Sequence, residues 1–297
     1  MVIQNLLRPL NVLDRTFNRF RPAIDESFSS PLMRSPLLAP VTSLAYHWYT
    51  RQLTAEVRSS TLPQHIALIA DGNRRFAQSM GLPEVADGHR YGAEKVNQVV
   101  DWCDELSIPV VTLWILSTDN LDRSRDEVDG LFSILRERLS TLWKDQEDSP
   151  IKRRVNIVGS LDLLPDDLRE QVEETRQRTA EYGPHRLNVA IAYGGRDEIL
   201  EAVQRMIRSR AASGETAEEI AEELSSQDLQ QYLYSPDVPE PDLIVRTSGE
   251  IRLGGFLLWQ SVYSELYFCD APWPAFRKID FLRAIRSYQA RQRRYGR

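Results

Sequence analysis

The chain has 297 residues, 42% of them hydrophobic, and a formal net charge of -6. That length holds one large domain or two small ones, and the acidic balance argues against a nucleic-acid partner. Two distant cysteines, Cys103 and Cys269, and four histidines without ligand spacing argue against a disulfide framework or a zinc site and suit a reducing cytoplasm.

Residues 1–42 read as an N-terminal extension and linker, and 43–297 as the main domain. The first 60 residues carry seven arginines against four acids. Leu6, Leu7, Leu10, Leu13, Phe17 and Phe20 recur near helical spacing with arginines between them. That pattern suits a basic amphipathic helix on anionic lipid, a frayed leader, or a helix packed on the body. No window approaches the ~18 apolar residues of a spanning helix, and no secretory signal is legible. The expected location is therefore cytoplasmic, with peripheral contact at the inner membrane face. Prolines at 22, 31, 36 and 40 mark the linker. Residues 43–58 read as a helix docking on the main domain.

The stretch at 65–70 is almost wholly apolar and does not alternate, as in a strand buried on both faces of a parallel sheet. It runs into Asp71, Gly72, Asn73, Arg74 and Arg75. Gly72 permits a tight turn, Asn73 suits a helix cap, and a helix start at Arg74 would favour phosphate. Helical character follows over 88–106. A strand at 109–116 ends in Ser117, Thr118, Asp119 and Asn120. A helix is expected over 126–146, a strand over 154–158 and a charged helix over 165–182. The strand at 186–193 ends in Gly194, Gly195 and Arg196. Helices are expected over 197–212 and 216–233. Strands at 242–246 and 266–268 and a basic helix over 279–294 complete the chain. Alternating strands and helices predict a single α/β domain with a mostly parallel six-stranded sheet flanked by helices.

In such a sheet the loops after the strands share one edge. They would gather Asp71, Arg75, Ser117, Asn120, Arg123, Arg246 and Arg252 around one cleft, suited to a diphosphate and a divalent metal. No Walker A sequence and no dinucleotide glycine fingerprint is present. Asp166-Asp167-Leu168-Arg169-Glu170 resembles the aspartate-rich box of the all-helical trans-prenyltransferases, but it follows Pro165, where acids favour a helix start, has no second copy, and stands in a strand pattern that contradicts an all-α fold.

From about residue 60 the chain resembles the cis-prenyltransferases. The segments HIALIADGNRRFA, LSTDNLDR, NVAIAYGGRDEI, DLIVRTSGEIRLGGFLLWQSVYSELYF and RRYGR carry the resemblance, in family order. The Asn120-Leu121 pair and the closing segment resemble the short-chain branch that makes (2Z,6E)-farnesyl diphosphate. The resemblance implies that Asp71 is the essential acid and binds Mg2+, assisted by Glu265. It implies that Gly72, Asn73, Arg74 and Arg75 hold the allylic diphosphate, with Phe76 against its first isoprene and His89 beside it. Ser117, Thr118, Asp119 and Leu121 would line the allylic pocket. Arg123, Arg246, Arg252, Leu253 and Gly254 would bind isopentenyl diphosphate. Arg294 and Gly296 match the family's terminal R-x-G, which reaches a neighbouring subunit and implies a homodimer. Asn120 stands where the family is assigned a proton acceptor. A neutral amide is a poor base, so it is expected to orient substrate while a phosphate oxygen takes the proton.

Phe76 replaces the family's usual tryptophan, Gly254 a serine, and Pro83–Asp87 the stretch with an arginine. Long-chain relatives carry a small residue on the strand where this chain reads Trp114-Ile115-Leu116, and tryptophan where it has Leu121. Ile115 or Leu121 is the expected tunnel floor, and one condensation on geranyl diphosphate, giving a C15 product, is the expected reaction. The alternatives are a longer-chain polyprenyl diphosphate synthase, a non-catalytic partner subunit, and an unrelated aspartate phosphatase. The intact Asp71-Gly72-Asn73 argues against the second, and the lack of a D-x-D against the third.

Overall fold

The computed structural model describes residues 39–291. The chain divides into two compact units, Met1–Glu56 and Val57–Arg297. The first is described from helix α1 (Ala39–Arg58), whose last residues belong to the second. Pro40, expected in the linker, is the second residue of that helix, where a missing N–H costs nothing. The leucine–arginine pattern, Arg294 and Gly296 lie outside the described residues.

The second unit is built on β1 (His65–Ile69), β2 (Val110–Trp114), β3 (Arg154–Val158), β4 (Arg186–Ala190), β5 (Leu243–Arg246) and β6 (Glu265–Phe268). Their order in the sheet is β3-β4-β2-β1-β5-β6, and every neighbouring pair is parallel. All five residues of β1 are buried, which is why its sequence does not alternate. The helices are α2 (Asn73–Met80), α3 (Val85–Glu105), α4 (Arg125–Asp148), α5 (Asp166–Thr179), α6 (Gly195–Ala212), α7 (Ala217–Glu223), α8 (Ser226–Gln230) and α9 (Lys278–Ala290). The chain leaves β1 toward β2 on one side and later returns to β5 on the other. That reversal makes the carboxyl end of β1 the switch point where parallel sheets bind ligands.

Several boundaries differ from the sequence reading. Gly72, at φ 101°, is the residue before α2, and Asn73 is the first residue inside it. Asn73 therefore does not cap the helix. The stretch at 83–87 starts α3, with Glu84 and Asp87 forming a reciprocal capping box. The helix expected over 216–233 is two short helices, each opened by its own box, Thr216 with Glu219 and Ser225 with Asp228. The fourth strand leaves the sheet after Ala190, and Ala192 takes φ 48°.

Two buried polar groups lock the amino-terminal ends of the strands. Arg153 is 0% exposed. Its guanidinium binds Asp104 through Nε at 2.8 Å and donates to the carbonyls of Pro109 at 2.9 Å and Ile108 at 2.8 Å. His65 bridges Pro239 O through Nδ1 at 2.6 Å and Thr112 Oγ1 through Nε2 at 2.7 Å. Asn188 Nδ2 donates to the same hydroxyl at 3.0 Å. The carbonyl can only accept, so Nδ1 carries the proton, and the Thr112 hydroxyl donates to Nε2. This relay needs a neutral imidazole. Burial pushes the His65 pKa down to about 4, against a small opposing effect from the Pro239 carbonyl and Asp242.

A base held neutral in the fold binds fewer protons than in the unfolded chain between those two pKa values. Its stabilising contribution is complete above about pH 6.5 and declines as pH falls through 4, amounting to roughly 2–4 kcal/mol. Denaturant unfolding from pH 7.5 to pH 4.5 should therefore show a steeper loss of stability in the wild type than in His65→Gln. Parallel pH profiles would remove His65 from this role.

Candidate functional site

The site grows from the end of β1. The register sets Ile69 beside Trp114 of β2 and Arg246 of β5, so the residues that follow meet at one edge. Thr247, fully buried, ties them together. Its Oγ1 lies 3.0 Å from the Asp71 N–H, which donates to it, and 2.8 Å from the Asp71 carbonyl, which accepts from it. A Cβ on Gly72 would stand 2.6 Å from Ser248 Oγ and 2.9 Å from Pro272 Cβ. A Cβ on Gly92 would stand 2.2 Å from Asn73 Oδ1. Glycine at 92 thus lets α3 close over the start of α2, and Asn73 Nδ2 donates to Ala70 O at 3.2 Å.

Asp71 Oδ2 accepts from Arg246 Nη2 at 2.9 Å and lies 3.8 Å from Arg75 Nη2. Arg246 is only 7% exposed. Its Nη1 donates to Arg252 O at 2.6 Å, so one guanidinium joins the first loop to the last. Two glutamates hold the other arginines. Glu250 pairs with Arg75 at 3.4 Å and with Arg252. Glu127 pairs with Arg123 at 2.8 Å and Arg74 at 3.8 Å. These groups surround a cleft of about 480 Å³. Asp71, Gly72, Asn73, Arg74, Arg75, His89, Ser117, Asn120, Arg123, Arg246 and Arg252 line it.

Four polar atoms on its lining residues are buried without a partner: Arg246 Nε, Trp114 Nε1, Asn73 Oδ1 and His89 Nε2. Buried polar groups are usually satisfied, so such a concentration marks a ligand site. Burial, reinforced by Arg123, pushes the His89 pKa down to about 4. His89 is therefore neutral at pH 7 and supplies a donor and an acceptor rather than another cation. Asn120 closes the turn Thr118–Asp122, its Oδ1 accepting from Ser117 N at 3.2 Å. Thr118 Oγ1 donates to Asp197 Oδ2 at 3.2 Å, tying that turn to the start of α6.

Other expected residues stand apart from the cleft lining. Phe76 meets Tyr91 edge to face at 5.7 Å. Thr118, Asp119, Leu121, Leu253 and Gly254 support the loops without lining the cleft. Gly254, at φ 63°, lies beside Arg246 Nη1 and the Trp114 ring. Glu265 opens β6 opposite Leu243, at the far edge of the sheet, and accepts from Arg291 Nη1 at 2.7 Å. It does not meet Asp71 within one chain. Sequence reasoning missed Thr247, Glu127, Trp114 and Glu250. Glu250 was legible, two residues before Arg252 in a loop already singled out; the others needed the fold.

Among the described residues, no cluster of three or more His, Cys, Asp or Glu side chains could hold a metal alone. Magnesium takes one or two carboxylates together with substrate phosphates and water. Asp71, with its carboxylate 31% exposed in a cleft ringed by arginines, fits a metal that arrives with a diphosphate. Beside the cleft lies an apolar cavity of about 90 Å³ between α3, α4 and the sheet. Ala70, Asn73, His89, Ile115 and Leu116 line both. Ile115 thus stands where the two meet, and Leu121 lines neither.

An arginine-ringed cleft at the switch point, sharing lining residues with an apolar cavity, suits a ligand with an anionic head and an apolar tail. The chain belongs to the cis-prenyltransferase family: the family described as "Putative undecaprenyl diphosphate synthase" matches residues 69–296. It is 48% identical over 265 residues to the (2Z,6E)-farnesyl diphosphate synthase of Thermobifida fusca, covering 89% of this chain and 99% of that one. It is 47% identical over 249 residues to the tritrans,polycis-undecaprenyl-diphosphate synthase (geranylgeranyl-diphosphate specific) of Thermoplasma volcanium, covering 84% and 95%. The crystal structure of lavandulyl diphosphate synthase from Lavandula x intermedia in complex with dimethylallyl diphosphate superposes with a TM-score of 0.74 at 31% identity, over 80% of this chain and 99% of that one.

Gly72→Ala should test how tightly the cleft is built. Positive φ and the Ser248 and Pro272 contacts together should lower unfolding free energy by about 1–3 kcal/mol. A denaturation midpoint equal to wild type would show that the turn yields.

Proposed function

We propose that this prenyltransferase condenses isopentenyl diphosphate with an allylic diphosphate, geranyl diphosphate by preference, in a magnesium-dependent reaction giving (2Z,6E)-farnesyl diphosphate. The observation that carries the reading is that Ala70, Asn73, His89, Ile115 and Leu116 line both the polar cleft and the apolar cavity. An allylic diphosphate has the same two-part character.

In this reading the start of α2, with Arg74 and Arg75, takes the allylic diphosphate, and the tail enters the cavity. Arg123, Arg246 and Arg252 take isopentenyl diphosphate. The glutamate pairs are exchangeable: a diphosphate offers more charge than Glu127 or Glu250, and frees each to retreat. Magnesium, held by Asp71 and the diphosphate oxygens, would neutralise charge on the leaving group. The allylic C–O bond breaks, and the arginines stabilise the departing diphosphate. The homoallylic double bond attacks C1 of the cation, forming the new C–C bond. One proton then leaves C2 of the isopentenyl unit to form the cis double bond. Asn120 keeps its carbonyl on Ser117 and orients this step; a phosphate oxygen takes the proton.

Two further parts of the reading concern assembly. We infer a homodimer in which Arg294 and Gly296 of one copy approach the other's site, supported by the family resemblance of the terminal segment. Peripheral membrane contact rests on the leucine–arginine pattern before residue 42. No helix among the described residues is long and apolar enough to cross a membrane.

Two measurements test the proposal. Asp71→Asn keeps a hydrogen-bond acceptor for Arg246 but removes the charge, and kcat should fall on the order of 10³-fold or more. Retention of more than about a tenth of wild-type turnover would end the role assigned to Asp71. Labelled isopentenyl diphosphate with C5, C10 and C15 primers should give a C15 main product from the C10 primer. A C50 or longer main product would establish the polyprenyl alternative, and a pure protein without activity would leave only the partner-subunit reading.

A further inference from the structure

The apolar cavity changes character along its length. Its wall is largely apolar, with Val96 of α3 and Leu131, Ile134, Leu135, Leu139 and Leu142 of α4. The lining also includes Asn97, Arg138 and Asp145. His89, which lines both cleft and cavity, and Asn97 both lie on α3, and the rise between them is about 12 Å. Asn97 Nδ2 donates to Asp145 Oδ2 at 3.4 Å, bridging α3 to α4. Arg138 shares a helical stripe with Leu131, Leu135 and Leu142. It is half-buried, and its guanidinium has no hydrogen-bond or ion-pair partner among the described residues.

A lone guanidinium in an apolar wall depends on water for its hydrogen bonds. A hydrocarbon tail that grew to this point would displace that water and offer nothing in return. Extension beyond it would also separate Asn97 from Asp145. Apolar side chains at the same place would instead continue the wall and reward each added isoprene.

We propose that Arg138, flanked by the Asn97–Asp145 bridge, is the specificity-determining residue that ends chain growth. The inference rests on the reading of the cavity as the tunnel for the allylic tail. It moves the stop away from Ile115, which lies at the junction with the cleft, and from Leu121, which lines neither space.

The test is product sizing by mass spectrometry after incubation with geranyl diphosphate and isopentenyl diphosphate, on variants whose folding is checked by thermal unfolding. Arg138→Leu should move the product distribution up by at least one isoprene unit, with the share of longer products rising on the order of tenfold. Asn97→Leu should shift it in the same direction. Arg138→Lys keeps a cation at the wall and should retain the wild-type distribution. Unchanged products from both leucine variants overturn the proposal, as does a shift in Arg138→Lys equal to that in Arg138→Leu. Ala93→Trp separates this failure from failure of the tunnel reading. Ala93 lines the cavity one helical turn nearer the cleft than Asn97, and a tryptophan there narrows the cavity and should shorten the products or suppress extension. If Ala93→Trp also leaves product size unchanged, the cavity does not hold the tail and the tunnel reading falls with the proposal.

Discussion

The contact between Asp71 and Arg246 is the constraint on which the site depends. The two residues are 175 positions apart and meet at 2.9 Å because β1 and β5 are parallel neighbours in a fixed register. Arg246 is almost fully buried, so its charge requires a partner, and Asp71 is the carboxylate within reach. The same guanidinium holds the Arg252 carbonyl and thereby carries the last loop into the cleft. A shift of either strand by one residue would turn every side chain to the opposite face and dissolve the pair.

Around that pair the charges form an exchange system. Arg74, Arg75, Arg123 and Arg252 each pair with a carboxylate, Glu127 or Glu250. Most of these pairs involve exposed side chains and hold the arginines only weakly. Weak internal pairing keeps a cationic cleft compatible with the fold while leaving the cations available to a stronger anion. The deeper contacts are of another kind. Arg153 is held by Asp104 and by carbonyls, and His65 by a carbonyl and a hydroxyl, at the opposite ends of the strands. Rigidity at one sheet edge and exchangeable charge at the other divide the molecule into a scaffold and a working face.

Much of this was legible in the amino-acid sequence. Unbroken apolar runs record burial on both faces, so the parallel strands and the shared edge of their loops could be read directly. Asp71, Arg75, Ser117, Asn120, Arg123, Arg246 and Arg252 were gathered correctly into one cleft by that rule alone. Local chemistry was less secure. Asn73 has the chemistry of a cap but sits inside the helix, because Gly72 with φ 101° already makes the turn. Ser225 could have signalled the break between α7 and α8, since its hydroxyl accepts from the Asp228 N–H.

The sequence by itself determined which residues stand in the loops along one sheet edge, because burial and turn-forming power are local properties of residue types. Only the tertiary structure decided which charges meet. It set Glu127 against Arg74 and Arg123, placed Glu265 at the far edge of the sheet, and brought Arg138 of α4 to a cavity shared with α3. Those relations depend on the distance and rotation between packed elements. No periodicity within either element records them.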